Sequence, residues 1–509
     1  MSRLEGLATE LLLLIIKNLR AERDINSLCR TSRRFYAVLN PAFYSRHVLR
    51  HRSWALCWSA EHDRVGTAKI LIAEGAKFFE VFKQWGSLPP ILVAAKFGSV
   101  EVTKLLIERG GGWERRPRRF TVALPGVSPV CLAARGDHVE VVKVYLSIPE
   151  AVLASNKLCR KPLGYAAEAG AVRTVDLLLR DGRFDPTARD MITYQALHDA
   201  AATKGDNSVV IRRLLNDPRV DISSIADMNG NTPLHLAASK GTSANIRALL
   251  EAGANVNQGN KQGRTALSNA ASFGHADAVA ALLSAPDVDP NVTDHMGYTP
   301  LVRAVSKRHE ATVLHLIRDK RTIPHATAEG KDTALMAAVK RGYDDFVRYI
   351  LSRQDTDVNV DAKWSEFILH EAIFLGDMEI MRLLVEDERL DPMSVDEDGW
   401  TPMLYAVGCG SVRIIEMLYR SGRFAIDEKD GSGRSAMWHA ARGGKEEVVK
   451  ALLRIADEMQ GVNWDAEDRD GMTPVDSALR SGHHAIAKLL CDYYGRSVPG
   501  TTAESMDLE

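Results

Sequence analysis

The stretch Thr232-Pro233-Leu234-His235-Leu236-Ala237-Ala238, followed by Gly241, Ala248-Leu249-Leu250 and Gly253-Ala254-Asn255-Val256-Asn257, decides how the chain is read. It describes one helix–turn–helix unit. Thr232 is a good N-cap, and Pro233 falls at the first helical position, where a missing N–H costs nothing. Ala237 and Ala238 are small enough to let two antiparallel helices approach closely. Gly241 suits a helix end in the left-handed region that other residues avoid. Ile246, Leu249 and Leu250 form the apolar stripe of a second helix. The histidine at position 235 reads as a capping or packing residue, as does its counterpart His370.

The same frame restarts at Thr265, Thr299, Thr333, Thr401, Ser435 and Thr473, with first intervals of 33, 34 and 34 residues. A period near ~33 with a T-P-L-H-x-A core resembles the ankyrin repeat family. Degenerate copies run upstream over Ser53–Ala76, Leu88–Gly112, Ser128–Ala151, Lys161–Pro186 and Thr193–Ile222, with another over Phe367–Pro392. That makes about thirteen units in an array over residues 51–495, with a disordered tail expected over 496–509. No such unit buries its apolar face alone, so stacking on neighbours supplies the core. The resemblance implies an all-α solenoid and an extended binding surface rather than a catalytic pocket. One unit departs from the pattern. Arg308 stands where its sister has Gly241, and Thr322-Ile323-Pro324-His325 replaces the D-V-N turn. A soft joint is expected there.

Composition narrows the function. With 65 Lys and Arg against 66 Asp and Glu, the net charge is −1, which argues against bulk nucleic-acid binding. Six scattered cysteines without a C-x-x-C pair argue against disulfide and zinc frameworks. The apolar run Leu11–Ile16 is too short to span a bilayer. A cytosolic or nuclear protein, monomeric on its own and without a cofactor, is expected. No nucleophile constellation, P-loop or H-E-x-x-H is present, and His483-His484 lacks further clustered ligands.

Residues 1–52 do not fit the repeat. They carry ten Lys and Arg against four acids. Thr9 can cap a helix from Glu10 to about Leu19. Its six consecutive apolar residues cover nearly the whole circumference, so two faces need partners. Leu7-Ala8-Thr9-Glu10-Leu11, then Ile15-Ile16 and Leu19, then Asp24-Ile25-Asn26-Ser27-Leu28-Cys29-Arg30 through Phe35-Tyr36 resembles an F-box over residues 1–50. Ala8 stands where that family usually has proline. The resemblance implies a small three-helix domain that docks on the Skp-type adaptor of a cullin–RING ubiquitin ligase. Leu7, Glu10, Leu11, Ile15 and Leu28 would contact the adaptor. The alternative is a plain helical cap for the array.

In the ankyrin family, partners bind the hairpin tips and the inner helix face. Tip slots around the glycine of D-x-x-G-x-T here hold Met228 and Asn231, Lys261 and Arg264, His295 and Tyr298, Trp400, Arg434, and Met472. Aromatic and arginine side chains are common hot-spot types, which singles out Tyr298 and Trp400. The plainer alternative is packing on the adjacent tip. The long connection Gly110–Val127 holds Trp113, Arg115, Arg116, Arg118, Arg119 and Phe120, a combination suited to an acidic peptide or to a solvated loop. The expected function is target recognition for an SCF-type ligase, with the array holding an unknown protein target. The alternative is an ankyrin scaffold or inhibitor with no ubiquitin role.

Overall fold

The computed structural model describes residues 54–76, 88–109, 128–148, 162–189, 195–326, 331–359, 368–396, 398–459 and 462–498. The F-box-like segment, the loop over 110–127 and the tail beyond 498 lie outside the described residues. Among the described residues there are thirteen antiparallel helix pairs and no strand. Two compact units divide the chain, residues 1–261 and 262–509. The first holds six pairs, from Trp54–Glu61 with Val65–Ala73 to Pro233–Lys240 with Ser243–Glu251. The second holds seven, from Ala266–Phe273 with Ala276–Leu283 to Pro474–Arg480 with His484–Tyr494.

Local chemistry fixes each helix start. The side chains of Thr232, Thr265, Thr299, Thr333, Thr401, Ser435 and Thr473 each accept the backbone N–H three residues on. Each cap is worth about 1 kcal/mol. At Thr232 the cap is reciprocal, because His235 Nδ1 accepts the Thr232 N–H at 3.2 Å. Within each unit, first helices pack on neighbouring first helices. The fully buried Ala270, Ala271, Ala304, Ala338, Ala406 and Ala440 permit that approach in the second unit. Second helices bury one stripe each, such as Ile246 and Leu249, Val313 and Leu316, or Ile414, Ile415 and Leu418.

Gly241, Gly274 and Gly410 close first helices with φ of 78°, 75° and 82°. Arg308 occupies the same place with φ 56°, a strain of about 1 kcal/mol for a non-glycine residue. Its guanidinium lies 5.3 Å from the Tyr343 ring, a cation–π contact that offsets part of the strain.

A second repeated device closes several of the second, or outer, helices of the pairs. In Asp181-Gly182-Arg183, Asp217-Pro218-Arg219, Asp319-Lys320-Arg321 and Asp387-Glu388-Arg389, the aspartate holds the arginine two residues on. The arginine then donates to carbonyls at the end of the preceding repeat's second helix. Arg321 reaches Leu283 O at 2.5 Å and Ala285 O at 3.0 Å. Arg389 reaches Leu351 O at 2.7 Å and Arg353 O at 2.8 Å. Helix C-termini carry unsatisfied carbonyls and negative partial charge, so a guanidinium is the natural stopper.

Candidate protein-interaction face

Five of the tips are built by one aspartate each. Asp294 Oδ1 accepts the N–H groups of Met296 at 2.9 Å and Tyr298 at 3.2 Å. Asp396 holds Asp398 and Trp400, Asp430 holds Ser432 and Arg434, and Asp468 holds Asp470 and Met472 in the same manner. Asp227 does this for Asn229 and Asn231 in the first unit. Successive tips are then joined, as where Gly431 N donates to Asp398 O at 3.3 Å. Gly399 has φ 74°, and a Cβ there would fall 2.8 Å from Gly431 N, so both conformation and space demand glycine. The frame histidines fasten the tips from the other side. His198 Nε2 meets Asn231 O at 3.1 Å, and His370 Nε2 meets Trp400 O at 3.0 Å. Burial lowers the His370 pKa, against the opposing pull of the Trp400 carbonyl. These histidines therefore serve as struts between tips.

With their backbones tied by these aspartates, Tyr298, Trp400 and Arg434 carry their side chains toward the first helix of their own repeat. Tyr298 lies 5.3 Å from the Arg303 guanidinium. Arg303 makes a two-pronged pair with the buried Asp294 carboxylate, and Arg264 approaches the same carboxylate at 3.7 Å. Burial foremost, and then the neighbouring Arg303 charge, lower the Arg264 pKa. Trp400 stands 4.4 Å from the His439 ring and 6.4 Å from the Tyr405 ring. His439 Nε2 is 2.9 Å from Asp430 Oδ2, while burial pushes its pKa down. Arg434 lies 4.6 Å over Trp438.

The sequence-derived tip residues thus fall into two groups. Arg264 and Tyr298 meet through Asp294 and Arg303. Trp400 and Arg434 are linked through the His439, Trp438 and Asp430 cluster. Met228 and His295 are exposed, and neither joins these two groups. Leu7, Glu10, Leu11, Ile15, Leu28, Trp113, Arg115 and Arg116 lie outside the described residues.

Tip reading alone misses the residues four, seven and eight places after each capping hydroxyl. On the repeats opening at Thr299 and Thr333 these include Arg303, Lys307, Lys340 and Arg341. On the following repeat they include Phe374 and Leu375, both exposed. Counting from the cap finds them, because the helical period puts those three positions on one face. Among the described residues, no group of three or more His, Cys, Asp or Glu side chains is placed to hold a metal ion. Nor is any described helix long and apolar enough to cross a membrane.

Paired helices joined by aspartate-anchored tips define a helix-pair repeat protein that presents tips and first helices side by side within each unit. The family model described as ankyrin repeats matches in overlapping segments from residue 197 to 499. The chain belongs to the ankyrin-repeat family. Among curated proteins it is similar to human Rabankyrin-5, 47% identical over 66 residues, covering 13% of this chain and 6% of the relative. It is also similar to the Caenorhabditis elegans ankyrin repeat and KH domain-containing protein mask-1, 28% identical over 202 residues, covering 39% of this chain and 7% of the relative. A third relative is the ankyrin repeat domain-containing protein SAT10 of Stachybotrys chartarum, 32% identical over 153 residues, covering 26% and 8%. The chain spans less than a tenth of the length of these three relatives. Ankyrin repeats suggest a protein-interaction role.

Proposed function

We propose that the chain is a non-enzymatic substrate receptor: its repeats hold a protein target, and residues 1–50 dock on the Skp-type adaptor of a cullin–RING ubiquitin ligase. The observation that carries the target-binding half is the register of the inner face. Tip residue, fourth, seventh and eighth helical positions recur in the same order from repeat to repeat, which suits an extended partner segment. The adaptor half rests on the F-box-like sequence from Leu7 to Tyr36. In this reading the chain itself does no chemistry and supplies proximity between target and ligase. Residues 51–495 form the array and 496–509 a tail.

Calorimetry of the full chain against a Skp-type adaptor tests the adaptor half. Leu11→Ala with Ile15→Ala is expected to cost about 2 kcal/mol or more of binding if these are interface anchors. Absence of binding by the intact chain would remove the ligase role. The second reading, an ankyrin scaffold or inhibitor without a ubiquitin role, is favoured by one observation: the family match runs from residue 197 to 499 and leaves the first 196 residues unmatched, the F-box-like segment among them. Deleting residues 1–48 separates the two. A receptor loses the adaptor and keeps a folded array, whereas a cap leaves the array less stable.

A further inference from the structure

Between the tip at Tyr298 and the first helices of the repeats opening at Thr299 and Thr333 lies a cavity of about 240 Å³. Its charged lining is Arg303, Lys307, Lys340, Arg341 and Asp332. The negative groups are already matched. Asp294 is held by Arg303, and Lys340 Nζ lies 3.1 Å from Asp332. Lys307 and Arg341 are exposed and have no ion-pair partner among the described residues. They occupy the same position on two adjacent first helices, so their charges converge on one opening. The cavity is smaller than the ~300 Å³ at which sites for whole small ligands begin, and it suits a single side chain.

The next repeat changes character. Phe374 is 67% exposed and Leu375 44%, and they occupy the seventh and eighth positions of their helix. The basic character thus gives way to an exposed apolar pair one repeat on. A phosphate backbone needs a continuing line of cations, which is not offered here. Adjacent packed helices lie roughly 10 Å apart, about the reach of three extended residues.

From this layout we infer that the pocket between Arg303, Lys307 and Arg341 takes an anionic side chain of a bound protein segment, with a large apolar side chain about three residues away against Phe374 and Leu375. The anion is a carboxylate or a phosphoryl group. The inference rests on the role of the array as a protein-binding surface.

The test is fluorescence polarisation of the full chain with three labelled dodecapeptides. Each carries a Leu-Phe pair three residues after two glutamates, two phosphoserines or two lysines. The glutamate or phosphoserine peptide is expected to bind roughly 10-fold tighter than the lysine peptide, and to weaken with salt. Preference for phosphoserine over glutamate identifies a phosphorylated partner, and equal binding identifies an acidic one. Lys307→Glu with Arg341→Glu should lower binding of the anionic peptides roughly 10-fold. The same reversal at the exposed outer-helix residues Arg413 and Lys488 should not. Lys307→Ala with Arg341→Ala serves if the reversal disturbs folding. The inference is overturned if the anionic peptides do not bind, if they bind the reversal equally, if the lysine peptide binds as well, or if a single-stranded DNA oligonucleotide binds more tightly. A natural target held by the array but bound equally by the reversal would end the pocket assignment and leave the receptor role standing.

Discussion

Two stretches of the second unit carry the same frame and put it to different uses. Around Tyr298, the register positions hold Arg303, Lys307, Lys340 and Arg341, and a cavity remains open between them. Around Trp400, they hold Tyr405, Gly408 and His439, and the space is filled. A Cβ at Gly408 would lie 2.6 Å from the Trp400 ring, so the indole occupies the room that glycine vacates. Lys445 crosses from the next repeat to the Val407 carbonyl at 3.2 Å. Caps, tip aspartates and buried alanines are common to both stretches. Three positions per helix decide whether the face is packed against itself or left available.

The largest effect that sharpens this contrast is expected from Trp400→Ala. Loss of a half-buried indole packed on two rings should cost about 2 kcal/mol, less than a fully buried tryptophan. Tyr298→Ala, beside a cavity, should cost under ~1 kcal/mol. Denaturant unfolding monitored by hydrogen exchange in each repeat measures both, and equal costs would erase the distinction.

Next is the arginine stopper. Arg389→Met removes donors from the Leu351 and Arg353 carbonyls and should destabilise by about 1–2 kcal/mol. Its aspartates also set a pH dependence. The guanidinium groups of Arg183, Arg219 and Arg321 hold the Asp181, Asp217 and Asp319 carboxyls below the ordinary range. With folded values depressed, their stabilisation is present above the unfolded value near ~3.9 and is lost as pH falls through the folded values. Thermal melts should therefore stay level above about pH 5 and drop below pH ~4. A flat profile down to pH ~2.5 would contradict the pairing.

A smaller gain is expected from Arg308→Gly. Relief of about 1 kcal/mol of left-handed strain is offset by a lost cation–π contact of roughly 0.5 kcal/mol. Slower exchange over residues 299–326 in the variant would mark this repeat as the soft joint of its unit. Unchanged exchange would show the Tyr343 contact to be full compensation. The smallest effect belongs to Lys307→Glu with Arg341→Glu, which should leave the melting transition within about 0.5 kcal/mol of the parent. A large loss would show these cations to be structural after all.

Much of the fold was legible because periodicity and caps are local. Thr232-Pro233, Gly241 and the Leu249 stripe each state their own conformation, and Arg308 could be located from its neighbours alone. The inner face was harder to read. Trp400 and Tyr298 look alike in sequence, and what distinguishes them is the set of side chains each meets, Gly408 of its own repeat and His439 of the next in one case and Arg303 of its own repeat in the other. The arginine stoppers were also hidden, because Asp-x-Arg looks like a solvated pair until its partner carbonyls, some 36 residues back, are known.

Those stoppers have a consequence for a chain made from its N-terminus. The carbonyls of Leu283 and Ala285 are synthesised well before Arg321, the residue that finally covers them. Each second helix closed in this way therefore emerges from the ribosome unsealed and is sealed only when its successor arrives. A nascent chain halted anywhere along this stretch would present one open helix end, always at its newest edge, for a chaperone or protease to find.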